Sequence, residues 1–188
     1  VDAMSRALDE AGSDPALGAL CSMRLALGLH MIGRFPDAVG HARAAVDLAA
    51  IVGVPGLRSQ ALSLLVTASF VAGHGVDADA LATAVELEDP DGDATTWFRA
   101  CAVEAMIAAW TGELTRARTL LVGVAQRMQA RGTELDIIWA ANHLSMVDVW
   151  LGRYPEAEAS ARVAVQRANL VGSRQLLITA WNVDAEVA

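Results

Sequence analysis

None of the 188 residues is lysine, so charged-group chemistry falls to the carboxylates, four histidines, two cysteines and fourteen arginines. That excludes a phosphate-cradling Walker A loop, a Schiff-base lysine and a Ser-Lys dyad. With so much Ala, Val and Gly, the missing lysine also fits the coding bias of a high-GC bacterium. His30, His41, His74 and His143 do not pair with one another or with cysteine at metal-ligand spacing, and no H-E-x-x-H occurs. Structural or surface roles are expected for them, with His74 exposed in the turn Ala72-Gly73-His74-Gly75. Cys21 and Cys101 stand alone in apolar stretches, which makes neither a disulfide framework nor a metal cluster and suits a reduced, cytoplasmic protein. No Gly-x-Ser-x-Gly elbow raises a serine on a strained turn. No catalytic residue, metal or cofactor is expected, and the chain is not expected to be an enzyme.

Two carboxylates interrupt apolar stretches, Glu104 in Cys101–Trp110 and Asp148 in Ser145–Trp150. Paired carboxylates do acid–base work when their environments push their pKa values apart. These two fall at different phases of the repeat that organises the chain, so each is expected to pair with an arginine on an adjacent helix. The net charge of −8 argues against this segment gripping a phosphate backbone itself. Apolar residues make up 54% of the chain. Even so, no unbroken apolar stretch approaches the ~20 residues of a membrane-spanning helix, and no secretory leader opens the chain. The apolar segments read as helices buried against helices.

What would position these residues is a repeat. Ile32-Gly33-Arg34-Phe35-Pro36-Asp37-Ala38 is matched by Leu151-Gly152-Arg153-Tyr154-Pro155-Glu156-Ala157. Gly33, Gly73, Gly112 and Gly152 are spaced 40, 39 and 40 apart, with Ala78 and Ala117 standing five residues after the middle two. A second series, Gly53, Gly92, Gly132 and Gly172, is spaced 39, 40 and 40 and runs in phase with the first. Asp93, Thr133 and Ser173 follow three of these glycines as N-cap types; Asp14 takes that phase one repeat earlier, and at Val54 a following Pro55 suits the first helical turn. The pattern predicts helices over 2–11, 14–32, 36–51, 56–72, 76–88, 93–111, 115–130, 133–151, 155–170 and 173–188. Each period then holds a helix A and a helix B, joined by a glycine in the left-handed conformation that ends helix A. Helix B carries small residues on one face, Ala38, Ala42, Ala45 and Ala49 in one copy and Ala157, Ala161, Ala164 and Ala168 in another.

Gly152-Arg153-Tyr154-Pro155-Glu156-Ala157, and Gly33-Arg34-Phe35-Pro36-Asp37-Ala38 with Phe in the Tyr place, resemble the Gly-x-Tyr-x-x-Ala signature of the tetratricopeptide superfamily. Gly75 and Leu114 replace the aromatic in the middle copies. The resemblance implies an all-α, right-handed α-solenoid of about four and a half antiparallel helix hairpins, covering residues 1–188 as a single superhelical domain. A period near 40 rather than ~34 residues is similar to the sensor region of large ATP-dependent LuxR-type regulators, the maltose-regulon activator type. The start at Val1 without Met and the end at Ala188 inside a helix A suggest a piece of a larger chain.

In such arrays the concave groove is lined by one face of the A helices. Carried over by distance from each turn glycine, that stripe contains Met23, Gln60, Arg99, Met106, Trp139, Asn142, Met146 and Asn182. Met23, Arg99, Met106, Trp139, Asn142 and Met146 are the expected ligand or peptide groove; ordinary inter-helix packing is the competing reading. Trp110 and Trp150 share one repeat phase and are expected to pack between helices. The expected function is a ligand- or protein-binding sensor segment of a bacterial LuxR-family regulator; the alternative is a stand-alone scaffold that docks a partner peptide. A protein, a peptide or a small-molecule inducer is the expected partner, without nucleic acid or membrane. The apolar last helix, with Leu176, Leu177, Ile178, Trp181, Val183 and Val187, makes a homodimer through that helix a further expectation.

Overall fold

Residues 2–131 and 133–187 are described by a computed structural model. Gly132 and the side chains of residues 131, 182 and 184–187, Asn182 and Val187 among them, lie outside the described residues. The described residues form helices and turns, with no strand among them. None of the helices is long and apolar enough to cross a membrane. The chain divides into two compact units, Val1–Val103 and Glu104–Ala188.

The first unit contains α1 (Asp2–Glu10), α2 (Pro15–Met31), α3 (Phe35–Val52), α4 (Pro55–Ser69), α5 (Ala78–Glu86) and the beginning of α6 (Ala100–Trp110). α2 starts where the Asp14 side chain accepts hydrogen bonds from the Ala16 and Leu17 amides at 2.9 and 3.2 Å. It ends at Gly33, whose φ of 77° is open to a residue without Cβ. Arg34 N–H then bonds back to the Leu29 carbonyl at 2.9 Å, and Arg34 pairs with Asp37 at 2.6 Å to open α3. Ala38, Ala42, Ala45 and Ala49 are fully buried along α3. Close approach of α2 and α3 depends on small groups: a Cβ on Gly18 would lie 3.2 Å from Leu48 Cδ1.

The second unit repeats this construction. It holds the rest of α6, then α7 (Leu114–Arg131), α8 (Glu134–Trp150), α9 (Tyr154–Val171) and α10 (Arg174–Val187). Between α8 and α9, Gly152 has φ 71°, Arg153 N–H bonds to the Asp148 carbonyl at 2.8 Å, and Arg153 pairs with Glu156 at 2.6 Å. Ala157, Ala161, Ala164 and Ala168 are fully buried. The α6–α7 turn keeps the backbone form, with Glu113 N–H bonded to the Ala108 carbonyl at 2.8 Å, but reverses the charges: Glu113 and Arg116 replace arginine and acid at 3.3 Å. Along α7 the alanine face becomes Ala117, Leu121, Val124 and Met128, also buried.

Two expectations fail, both between Phe70 and Arg99. Ala78 is exposed and does not take the place of Ala38. A five-residue π turn, Phe70–His74, and a second glycine, Gly75 (φ 82°, ψ −170°), delay α5 until Asp77 caps it at the Ala80 amide, 3.0 Å away. α5 is thereby rotated, and Ala84 is the residue it buries. Nor does a helix begin at Asp93. Residues 87–99 form a loop with a short 3-10 turn at Thr96–Phe98, Gly92 is not left-handed, and α6 starts at Ala100. The Asp89-Pro90-Asp91-Gly92 run supplies the reason, since proline and the aspartates favour local turns over helix; Asp89 Oδ1 accepts the Asp91 amide at 2.9 Å. Trp110 and Trp150, expected to pack between helices, are each covered over more than half of their surface and stay 38% and 47% exposed.

Candidate functional site

The residues of the A-helix stripe separate between the two units. In the first, Met23 is 2% exposed and packs in the cluster of Ala19, Ala26, Ala45, Leu64 and Phe98. Arg99 is 7% exposed at the end of the 87–99 loop. In the second, Met106 and Asn142 are each 7% exposed, whereas Trp139 and Met146 are half-buried. Trp139 lies on the cluster of Ala105, Ala108 and Ala109, stacked on His143 with ring centroids 4.0 Å apart and planes tilted by 31°. His143 Nδ1–H donates to the Trp139 carbonyl at 2.7 Å. Burial drives the His143 pKa down to about 4, partly offset by that hydrogen bond, so the ring is neutral at pH 7. One turn apart on this helix, Trp139 Nε1–H and Asn142 Oδ1 are buried without a partner.

Both interrupting carboxylates meet an arginine from the next helix. Arg116 on α7 reaches Glu104 on α6 at 2.6 Å. Asp148, with its side chain 1% exposed, takes Arg118 of α7 at 2.5 Å and Arg153 at 3.5 Å on the same oxygen, and its Oδ2 has no partner. The remaining histidines stay apart. His30 lies edge-on to Phe35 at 5.6 Å with its pKa lowered by burial, and His74 is exposed. Among the described residues no group of three His, Cys, Asp or Glu side chains could hold a metal ion.

The sequence stripe pointed to Arg99 but not to its surroundings. A cavity of about 240 Å³ lies between the first turns of α4 and the 87–99 loop, lined by residues that include Gly56, Leu57, Gln60, Glu88, Asp89, Asp93, Phe98 and Arg99. Arg99 Nη2 donates to the Gly92 carbonyl at 2.5 Å, and Nη1 stands 3.6 Å from Glu88 Oε1. Glu88 also accepts the Cys101 amide at 2.7 Å and its thiol at 3.2 Å, so one carboxylate ties the loop to the start of α6. From α4, Ser59 donates to the Ala84 carbonyl at 2.7 Å and anchors α5. Arg99 Nε–H has no acceptor. α4 starts without a side-chain cap, since Val54 has no oxygen to offer its first amides. The sequence signal that could have led here was the run Asp89-Pro90-Asp91-Gly92-Asp93, three carboxylates at alternate positions with turn formers between them. No protein-family model matches this chain, and no curated protein matches it.

Proposed function

We propose that this chain is a binding segment of stacked tetratricopeptide-like helix hairpins, and that it senses a ligand or protein partner for a bacterial LuxR-type transcriptional regulator. The observation that carries the reading is the duplication of one hairpin turn at α2–α3 and α8–α9. Left-handed Gly33 and Gly152, the back-bonded Arg34 and Arg153, the ion pairs to Asp37 and Glu156, and two sets of four fully buried alanines recur together. Arrays of repeated hairpins present extended surfaces for partners, whereas their interiors only pack. Of the six expected groove residues, half-buried Trp139 and Met146 retain accessible surface for such a role.

Small-angle scattering tests the stacked arrangement. A compact protein of this length has a radius of gyration of about 16 Å; a right-handed superhelical stack gives a distinctly larger value and a skewed distance distribution. A value at the compact limit ends the reading. The complete reading frame tests the regulator: an upstream P-loop module and a downstream helix-turn-helix support it. A short frame without either leaves the scaffold that docks a peptide, a reading favoured by the same duplicated turns.

A further inference from the structure

We propose that the cavity between α4 and the 87–99 loop binds a small organic cation that carries its own hydrogen-bond acceptor, a basic amino acid being the class that fits. This deepens the binding reading and rests on it. At about 240 Å³ the cavity is smaller than the ~300–1,000 Å³ of drug-sized sites, which suits a small metabolite.

The charges select the cation. Glu88, Asp89 and Asp93 line the cavity against Arg99. Glu88 and Arg99 face each other at 3.6 Å, which leaves two carboxylates in excess. Asp93 is exposed and makes no ion pair or hydrogen bond with another described residue. An ammonium or guanidinium group at Asp93 answers that charge.

The donors select the acceptor. Arg99 is 7% exposed, yet its Nε–H has no partner, and a buried donor without an acceptor is costly to maintain. The same cavity is lined by Gly56 and Leu57, first-turn residues of a helix with no side-chain cap, where a carboxylate is stabilised by free amides and the helix dipole. α2 and α8, by contrast, have Asp14 and Thr133 at this position to accept from their own amides. Leu57 and Phe98 supply an apolar wall for an aliphatic stem. The same stretch is where the chain leaves its repeat, opening 87–99 into a loop instead of a tight turn. An acidic loop, a buried arginine with one unpaired N–H and an uncapped helix therefore line one cavity.

Calorimetric titration of the 188-residue chain decides the matter, with L-arginine and L-lysine as probes and 1,4-diaminobutane and acetate as half-ligands. Saturable binding of a basic amino acid is expected, at least ~10-fold tighter than either half-ligand. Asp93→Asn should weaken it about 5-fold or more with the melting temperature unchanged, because Asp93 is exposed and unpaired. Arg99→Gln should also weaken it; because this change also loosens the loop, its helix content is checked by circular dichroism. Absence of binding at millimolar ligand, binding indifferent to Asp93→Asn, or diaminobutane binding as well as lysine overturns the proposal. Failure here beside an elongated scattering profile removes the site alone and leaves the stacked-hairpin reading standing.

Discussion

At the scale of single residues, Asp148 is the most consequential charge in the second unit. Its buried carboxylate is held by Arg118 and Arg153, at a turn position where other copies carry Leu29 and Ala108. Removing one partner of a buried pair leaves an uncompensated charge, whereas an apolar pair of similar volume is often tolerated. Asp148→Ala is expected to lower stability by about 3 kcal/mol in denaturant unfolding, and Asp148→Leu with Arg118→Met to regain most of it. A small loss in the single variant would show that Arg118, partly exposed, solvates itself. His143 makes a pH-dependent contribution of known sign. Its folded pKa of about 4 lies below the ordinary histidine value of 6.5, so between these values the unfolded chain binds the extra proton. Stability should therefore fall as pH drops from 6.5 toward 4, by up to ~3 kcal/mol and less where water reaches the ring. Below that window both states are protonated and the loss stops growing. His143→Leu should lack this part of the slope, and equal slopes in the two proteins would mean that the ring is already solvated.

At the scale of elements, the turn glycines and the alanine faces act together. Nothing lies within 4 Å of a Cβ built on Gly33 or Gly152, so replacing either tests backbone conformation alone. Gly33→Ala and Gly152→Ala should each cost about 1–2 kcal/mol by thermal unfolding, with helix content unchanged. Loss of only one of the two turns' stability would show that the hairpins are not energetically equivalent. The alanine faces set how closely the helices approach. Both α3 and α9 bury four alanines completely, while α7 manages with Leu121, Val124 and Met128 at three of the equivalent places. The face requires a matched volume rather than a small residue as such.

For the whole molecule, the exposed apolar side chains bear on association. Leu176 and Leu177 of α10 pack against Ala164 and Ala168, but Ile178 and Trp181 remain 55% and 53% exposed. Three residues apart on one helix, Ile178 and Trp181 share a face, and exposed apolar surface of this kind marks an interaction site. Sedimentation over a wide concentration range is expected to show a weak dimer that Ile178→Ser with Trp181→Ser abolishes. A strictly monomeric protein at high concentration would remove the α10 interface from the proposed partners.

Helix order and most helix ends were legible in the sequence because caps, prolines and left-handed glycines act within a few residues of themselves. Asp14, Thr133, Pro55, Gly33 and Gly152 do at short range what their types imply. The arginine partners of Glu104 and Asp148 were legible in kind, since a charge interrupting an apolar helix must be answered from a neighbour. What tertiary structure alone decided is which side of a helix is covered. The stripe through Met23, Met106 and Asn142 has the period of a surface, yet these side chains are buried, because a helix flanked by neighbours on several sides buries more than one face. The rotation of α5 was equally out of reach, whereas the loop at 87–99 had a local signal in Asp89-Pro90-Asp91-Gly92-Asp93 that the repeat register outweighed in the sequence. Both arise where local turn preferences at Gly75 and Asp89–Asp93 override the repeat, and the cavity they leave depends on contacts between α4 and residues some thirty positions further along the chain.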